Sequence, residues 1–244
     1  MVKFGDNTYG DDYAEVYDDL FEDRDDLKVV GDTLSSLAGD GPILEFGIGT
    51  GRLAAPLAQR GYKVYGIDNS QSMLQQIPGK PGAENIHAIL GDCTQDRVEG
   101  SFPLVFIAFS TLYVMGTQDL QVKCFENAAR HLSDNGVFVV EAFLHDRKRW
   151  HYGQEATTTK IEDNFASVRF GLHDSVNQLI KIQYIDFTPQ GLNFRPNRLR
   201  YIWPSEMDLM ARIAGLKLRV RWGGWDRSPF TSESVNQVAV YEKI

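Results

Sequence analysis

Short runs of β-branched and aromatic residues alternate with longer amphipathic stretches through the first three-fifths of the chain. Such alternation is typical of repeated strand–helix units around a largely parallel sheet. The pattern predicts five strands, at Ile43–Phe46, Lys63–Ile67, Ile86–Leu90, Leu104–Phe109 and Gly136–Ala142. It predicts helices before and between them, at Arg24–Leu37, Gly51–Arg60, Ser70–Gln76 and Asp119–Leu132.

The pattern changes between residues 145 and 203, where polar and apolar positions alternate over long stretches. This period predicts an antiparallel meander with two different faces. A helix at Pro204–Ala214 and strands at Lys217–Trp222 and Val235–Glu242 follow it. The sequence therefore predicts one doubly wound α/β domain with a seven-stranded sheet, formed by residues 1–144 and 204–244. Residues 145–203 are predicted to be inserted as an antiparallel lid and substrate region.

Three alternating glycines follow the first strand in the segment Glu45-Phe46-Gly47-Ile48-Gly49-Thr50-Gly51. Glycines at a strand-to-helix turn let the backbone come very close to a ligand. Asp68 lies 17 residues beyond Gly51 at the end of the second strand, where a carboxylate can accept two ribose hydroxyls. Asp92 follows the third strand, placed to meet the amino edge of an adenine. Because parallel strands end at one edge of a sheet, these positions predict a nucleoside-binding site.

Two common nucleotide-binding motifs do not fit this turn. The dinucleotide fingerprint needs a small residue at position 52 for close helix packing, and the chain has Arg52 there. A phosphate-binding loop with the Gly-Lys-Ser/Thr ending is also absent from the sequence. A nicotinamide oxidoreductase therefore ranks far below other functions, and ATP hydrolysis has no support.

The glycine turn, the segment Gly66-Ile67-Asp68-Asn69-Ser70 with Met73-Leu74, and Gly91-Asp92 together resemble the class I S-adenosylmethionine-dependent methyltransferases. The resemblance covers nearly all of the chain. Within the family, the chain is similar to the methyltransferases that act on small molecules, including the amino-sugar and glycine N-methyltransferases. The resemblance implies a Rossmann-like fold with S-adenosylmethionine as cofactor and S-adenosylhomocysteine as product. The cofactor-binding residues it implies are Tyr9, Tyr17, Glu45, Gly47, Gly49, Gly51, Arg52, Asp68, Asn69, Met73, Gly91, Asp92, Cys93 and Phe109.

Tyrosines recur at a spacing of four near the start of the chain, at Tyr9, Tyr13 and Tyr17. On a helix this spacing places them on one face. They form either a packed aromatic stripe or, as the resemblance implies, a segment that closes over the cofactor. We expect Tyr9 or Tyr17 to touch the cofactor, and Tyr13 is a candidate catalytic residue. Arg52 pairs with the cofactor carboxylate or with Glu45, or it is a surface arginine.

Methyl transfer from a sulfonium is an in-line displacement, so the protein mainly aligns the nucleophile and excludes water. His145 and Glu141 lie at or just beyond the fifth strand and are the candidate general bases; each is alternatively a capping or supporting polar group. Candidate acceptor-binding residues are Arg200, Tyr201, Trp203 and Trp225. Arginine can clamp a carboxylate or phosphate, although alternating arginines also form the solvent face of a strand, and tryptophans also fill cores.

The charge and the motifs of the chain exclude some classes of binding partner. The chain has 25 Lys and Arg against 33 Asp and Glu, a net charge of −8, which disfavours nucleic acid as a partner. The segment Ala108-Phe109-Ser110-Thr111-Leu112-Tyr113 lacks the Asn/Asp-Pro-Pro-Tyr motif of the related nucleic-acid base methyltransferases. The five histidines show no paired zinc motif, so no metal is expected.

Cys93 and Cys124 allow at most one disulfide, which fits a reduced, cytoplasmic setting. The first 26 residues are acidic rather than a signal peptide, and the apolar runs are far shorter than the roughly 20 residues that span a bilayer.

These observations predict a methyltransferase that acts on a small molecule, with an amine as the preferred acceptor. An O- or C-methyltransferase of a natural-product intermediate is an alternative that needs the same cofactor motifs. A protein that binds the cofactor for chemistry other than methylation is another. Because inserted sheets often mediate dimers, a homodimer is also expected.

Overall fold

The computed structural model describes residues 8–14, 16–20, 26–146 and 149–244, and the side chains at positions 8, 9, 12, 19 and 20 lie outside the description. The helices are α1 (Thr8–Tyr13), α2 (Tyr17–Leu20), α3 (Leu27–Ala38), α4 (Ala54–Gln59), α5 (Gln71–Leu74), α6 (Thr111–Val114), α7 (Gln118–His131) and α8 (Pro204–Ile213). The strands are β1 (Ile43–Phe46), β2 (Val64–Asp68), β3 (Ile86–Leu90), β4 (Phe102–Ile107), β5 (Leu132–Phe143), β6 (Gln154–Glu162), β7 (Phe165–Asp174), β8 (Leu179–Thr188), β9 (Gly191–Arg200), β10 (Leu216–Trp222) and β11 (Asn236–Lys243).

Seven strands form the central sheet in the order β10-β11-β5-β4-β1-β2-β3. The first five strands along the chain pair in parallel, and β11 runs antiparallel to both β5 and β10. The four residues of β1 are all buried, because helices cover both faces of the sheet. The predicted seven-stranded, doubly wound architecture is confirmed.

The two faces of the sheet have separate apolar cores. One core joins α3 and α4 to the sheet through residues such as Leu34 and Leu57. The other lies under α7 and α8 and includes Phe125 and Met207. Ile182 of the second sheet belongs to this second core, so the inserted strands pack on the same side as α7 and α8.

The inserted segment forms a four-stranded antiparallel sheet in the order β6-β7-β8-β9, which we call the lid. Its inner face carries Ile180 and Ile182, which are buried, and its outer face carries Phe170 and Phe187, which are exposed. The predicted antiparallel meander is therefore confirmed, and its four strands all lie within residues 145–203.

The tyrosine-bearing segment does not form the single helix on which the shared-face prediction depended. The helix α1 ends at Tyr13, and Val16 N–H donates to the carbonyl of Tyr13 at 3.0 Å in the connecting turn. Tyr17 then opens the separate helix α2. Tyr13 and Tyr17 therefore reach the sheet from two helices, and the side chain of Tyr9 lies outside the described residues.

None of the described helices is long and apolar enough to cross a membrane. Within the described residues, no three His, Cys, Asp or Glu side chains come together in a way suited to a metal ion.

Candidate active site

The glycine-rich turn after β1 brings main chain and side chains into close contact at the carboxyl edge of the sheet. Gly47, Gly49 and Gly51 all have positive φ, at 72°, 55° and 77°. A side chain on Gly47 is also excluded by space, because its Cβ would lie 2.5 Å from Cγ2 of Thr111. The turn is therefore restricted to glycine by conformation at three positions and by packing at one of them.

Asp68 ends β2 and holds the glycine turn in place. Its Oδ2 accepts a hydrogen bond from Gly49 N–H at 2.7 Å, and its Oδ1 accepts one from Ser70 N–H at 2.9 Å. Burial raises the pKa of the Asp68 carboxyl, and the backbone hydrogen bonds oppose that rise. The carboxylate is thus oriented before any ligand arrives.

The ends of β2 and β3 are tied together beside Asp68. Gly91 N–H donates to the carbonyl of Asp68 at 2.8 Å, and Asp92 Oδ1 accepts the N–H of Thr94 at 2.8 Å. Asn127 of α7 donates from Nδ2 to the carbonyl of Cys93 at 3.0 Å. Asp92 and Cys93 therefore lie next to Asp68 at one edge, on a loop fixed from α7.

A narrow cavity of about 30 Å³ lies over the glycine turn. Arg52 lines it, and its Nε and Nη1 are buried without a hydrogen-bond partner. The guanidinium lies 5.0 Å from the centre of the Phe109 ring. Burial raises the pKa of Glu45 well above its usual value, and the nearby Arg52 charge opposes that rise. The lining residues are Tyr17, Glu45, Gly47, Ile48, Gly49, Thr50, Arg52, Leu53, Ala108, Phe109 and Thr111.

The short helix α2 lies over this cavity, and α1 is held nearby on the end of β2. Asp18 Oδ1 accepts a hydrogen bond from Thr50 Oγ1 at 2.7 Å, and its other oxygen pairs with Lys80. Asp11 Oδ1 accepts one from Ser70 Oγ at 2.6 Å. A cavity of this size is smaller than the cofactor-sized ligands that pockets usually hold, and Tyr17 of α2 is one of the residues that restrict it.

Two consecutive non-glycine residues with left-handed backbone follow β4. Phe109 and Ser110 have φ of 56° and 61°, a conformation that is strained for such residues. Glu141 offsets this strain: its Oε2 accepts Phe109 N–H at 2.8 Å, and its carbonyl accepts Ser110 N–H at 3.2 Å. Ser110 Oγ in turn accepts Phe143 N–H at 3.1 Å. A side-chain oxygen and the carbonyl of Glu141 therefore both stabilise the turn.

An aromatic cluster joins the end of β5 to the lid. The ring of His145 stacks on Tyr201 with centroids 4.0 Å apart and planes 12° apart, and it lies 4.3 Å from the ring of His173. His173 Nε2 and Tyr201 Oη are 3.1 Å apart. Trp150 and Trp203 pack around these rings, and His145 is only 8% exposed.

Comparison with known proteins agrees with this geometry. Residues 43–136 match a family model described as a methyltransferase domain. The structure of the CcbJ methyltransferase from Streptomyces caelestis is 34% identical in sequence, covers 97% of this chain and 98% of its own, and has a TM-score of 0.91. The chain belongs to the class I S-adenosylmethionine-dependent methyltransferases.

Two further methyltransferases are similar to this chain, one in sequence and one in fold. The cypemycin N-terminal methyltransferase from Streptomyces sp is 25% identical over 206 residues, which is 82% of each chain. CalS10, an amino pentose methyltransferase from Micromonospora echinaspora with S-adenosylmethionine bound, has a TM-score of 0.69 at 18% identity and covers 93% of this chain and 97% of its own, a likeness of fold. This methyltransferase uses S-adenosylmethionine.

The residues of the cavity suit that cofactor. The unpartnered Arg52 nitrogens are placed for a carboxylate, and the oriented Asp68 carboxylate is placed for vicinal hydroxyls. Two other predicted residues, Met73 and Asn69, flank this region: Met73 is buried against Tyr13, and Asn69 follows Asp68 directly.

Two predicted acceptor-binding residues of the methyltransferase are engaged elsewhere. The Arg200 guanidinium donates to Gln121 Oε1 and Glu206 Oε1, both at 2.7 Å, so it ties the lid to α7 and α8. Trp225 is buried in the core on the α3 face of the sheet, and its carbonyl accepts a hydrogen bond from Thr33. Arg200 is held by polar side chains of the protein and Trp225 by its surrounding core, and their role in acceptor binding stays a prediction.

Several residues of the site were not predicted. Asp11 and Asp18 meet their partners 59 and 32 positions away in the chain, and nothing local in the sequence indicates those contacts. Thr111 lies in the cavity because Gly47 leaves space for it. The sequence signal available for Thr111 was its place just after β4, at the edge where such sheets bind ligands.

Proposed function

We propose that this methyltransferase methylates the nitrogen of a small-molecule amine. The observation that carries the proposal is the chemistry of the cavity beyond the glycine turn. Ala108, Phe109 and Thr111 form its end, and Glu45, the one carboxylate among the described lining residues, lies beside the Arg52 charge. An uncharged amine suits this cavity because it attacks with its own electron pair and needs a base only for the proton that it must release.

Bound S-adenosylmethionine supplies a methyl group already activated on sulfur. The Arg52 guanidinium would bind the carboxylate of the cofactor, Asp68 would accept hydrogen bonds from the ribose hydroxyls, and Asp92 would accept one from the adenine amine. Tyr17 closes over the methionine portion when Asp18 of α2 holds Thr50 and Lys80. Tyr17 and Asp18 of α2 cover this part of the cavity, where they would exclude water from the reacting atoms.

The lid, within residues 145–203, forms the acceptor side of this site. The acceptor nitrogen would give its electron pair to the methyl carbon as the C–S bond breaks with its pair left on sulfur, and the resulting methylammonium would release one of its own N–H protons. His145 lies at the carboxyl end of β5, beside the lid, and accepts that proton. The cypemycin N-terminal methyltransferase, whose name describes a nitrogen acceptor, supports the choice of an amine.

His145 also favours a second candidate, methylation of a hydroxyl. A phenol or alcohol must lose its proton during attack, and a histidine at the edge of the lid is a suitable base. Tyr13, whose buried ring packs near the lid, is a further proton-transfer candidate under either function.

The experiment begins with calorimetric titration of S-adenosylmethionine, S-adenosylhomocysteine and NAD. A turnover screen with a labelled methyl donor follows, using prolinamide, glucosamine and dialanine as amines, p-nitrophenol as phenol and benzoate as carboxylate. Binding of the two sulfur compounds with label on the nitrogen of an amine supports the proposal. Label on the phenol or carboxylate alone overturns the amine assignment, and binding of the cofactor without any release of S-adenosylhomocysteine favours a binding protein.

We also propose that two copies associate through the outer face of the lid. Six large apolar side chains on this face are 43% to 75% exposed: Ile161, Phe170, Leu172, Phe187, Leu192 and Phe194. At about 200 Å² for each side chain they expose about 650 Å², close to the roughly 800 Å² that each partner buries in a standard interface. Sedimentation of the protein and of Phe194→Lys tests this, and a monomeric parent protein contradicts it.

A further inference from the structure

The inner face of β9 packs against α1 and against α6, and α6 contributes Thr111 to the cavity. At one end, the Arg195 guanidinium lies 5.0 Å from the ring of Tyr13 in α1. At the other end, Tyr113 of α6 donates from its hydroxyl to the carbonyl of Ile202, just beyond β9. Because α6 begins at Thr111, which lines the cavity, this stretch of β9 lies on the acceptor side of the cofactor site.

Asn197 occupies the middle of that stretch. It pairs in register with Ile182, whose side chain is buried on the inner face, and opposed residues of an antiparallel pair share a face. Its neighbours on the same face are Arg195 and the buried Leu199, two residues away on either side.

The side-chain oxygen of Asn197 has no partner. Its Oδ1 is buried, and it accepts no hydrogen bond from any of the described residues. Buried polar atoms are normally hydrogen-bonded, so an orphaned acceptor on a strand that packs against a cavity-lining helix is a candidate for an atom that a ligand satisfies. The neighbouring polar groups do not need it, because Arg195 is held by Asp186 through two bonds of 2.7 and 2.8 Å.

We infer that Asn197 Oδ1 accepts a hydrogen bond from the N–H of the acceptor amine, an inference that rests on the proposed N-methylation. An uncharged amide oxygen suits this task because it binds the neutral amine without stabilising the ammonium form. The N–H bond then orients the nitrogen while its electron pair stays available for the methyl group. Asn197 is thereby a specificity-determining residue for an acceptor that carries at least one N–H.

The first test replaces the orphaned oxygen and does not require turnover. Asn197→Leu removes a buried acceptor without a partner, so its thermal unfolding temperature is expected to equal or exceed that of the parent protein. Asn193→Leu is the matched control, since Asn193 lies on the same face of the same strand but is exposed. A clear loss of thermal stability in Asn197→Leu alone shows that the amide supports the fold and overturns the inference.

The second test measures the acceptor amines that the screen identifies among prolinamide, glucosamine and dialanine. Asn197→Leu is expected to raise the KM for the amine about tenfold, with the Kd for S-adenosylmethionine unchanged, while Asn193→Leu behaves as the parent protein. Asn197→Asp places a carboxylate against the amine, which favours its protonated form. The pH profile of kcat in that variant is expected to move upward by about one unit.

The outcomes distinguish a failure of the Asn197 role from a failure of the proposed N-methylation. Methylation of an amine probe with an unchanged KM in Asn197→Leu and an unmoved pH profile in Asn197→Asp overturns the role of Asn197 and leaves N-methylation standing. Label found on p-nitrophenol alone overturns both.

Discussion

The cofactor edge of the central sheet and the inner face of the lid are built in different ways. At the cofactor edge, main-chain groups do much of the positioning, as when Gly49 N–H fixes Asp68. On the lid, side chains position one another, as in the paired Arg195 and Asp186. Main-chain N–H groups that donate to a carboxylate position the first region, whereas an ion pair between side chains of neighbouring strands positions the second.

The difference between the two regions matches the two kinds of molecule that they would bind. A site whose shape depends on backbone conformation tolerates few substitutions, which suits a cofactor that does not change. A face shaped by side chains alters with single substitutions and leaves the strands intact, which suits an acceptor that differs between enzymes of one fold. We therefore expect substitutions in the first region to change cofactor affinity and substitutions in the second to change turnover and the KM for the acceptor.

The largest expected effect is in the lid region. His145→Ala should slow turnover roughly 100-fold by removing the proton acceptor, with little change in the Kd for S-adenosylmethionine. His145→Phe is the matched control, because it keeps a ring against Tyr201 and removes the proton-accepting nitrogen. Steady-state kinetics decide the role: recovery of activity in the phenylalanine variant means that His145 acts by packing.

At the cofactor edge, Arg52→Met should weaken S-adenosylmethionine binding about 30-fold, because the carboxylate of the cofactor loses the buried guanidinium as its partner. Calorimetry with 5′-methylthioadenosine, which has no carboxylate, provides the control. Its affinity should be the same for both proteins. An equal loss for the two ligands indicates that Arg52 supports the turn rather than the carboxylate.

Asp68→Ala should weaken cofactor binding at least tenfold, equivalent to about 1.4 kcal/mol, through loss of a charged acceptor of two hydroxyls. The exposed Asp40 offers a matched control variant, Asp40→Ala. A dissociation constant for Asp68→Ala equal to that of the control removes Asp68 from the ribose site.

The smallest expected effect is a pH dependence at the cofactor edge. Since burial raises the pKa of Glu45, the folded protein keeps a proton that the unfolded chain releases above its usual pKa of 4.5. The stability from this proton is full at acid pH and is lost as pH rises through the folded pKa. Glu45→Gln removes the effect, so its unfolding temperature should gain on the parent by a few degrees from about pH 5 to about pH 8. A constant difference across that range contradicts the raised pKa.

The sequence predicted the cofactor edge well because its signals are local. The bounds of β1 and β3 match the predicted Ile43–Phe46 and Ile86–Leu90, since both are short apolar runs that end at a polar or glycine turn. By contrast, β5 begins at Leu132, four residues before the predicted Gly136, because Leu132 pairs with Phe102 of β4. That contact joins residues about 30 positions apart, and no local pattern encodes it.

The sequence predicted the antiparallel strands of the lid but not which residues their side chains contact. Alternation of polar and apolar residues defines two faces without saying what each face meets. The sequence therefore offered Arg200 as an acceptor clamp, whereas Glu206 and Gln121 engage it. Asn197 carries no sequence signal at all, since its interest comes from an oxygen that the fold leaves without a partner.

The position of β11 between β5 and β10 has a consequence for synthesis of the chain. Phe143 of β5 pairs with Asn236 of β11, across about 90 residues that include the whole lid. During translation the edge of β5 therefore waits for its neighbour while the lid, α8 and β10 emerge from the ribosome. An exposed apolar strand edge is a template for aggregation, so slow elongation before residue 236 prolongs the most vulnerable stage of folding.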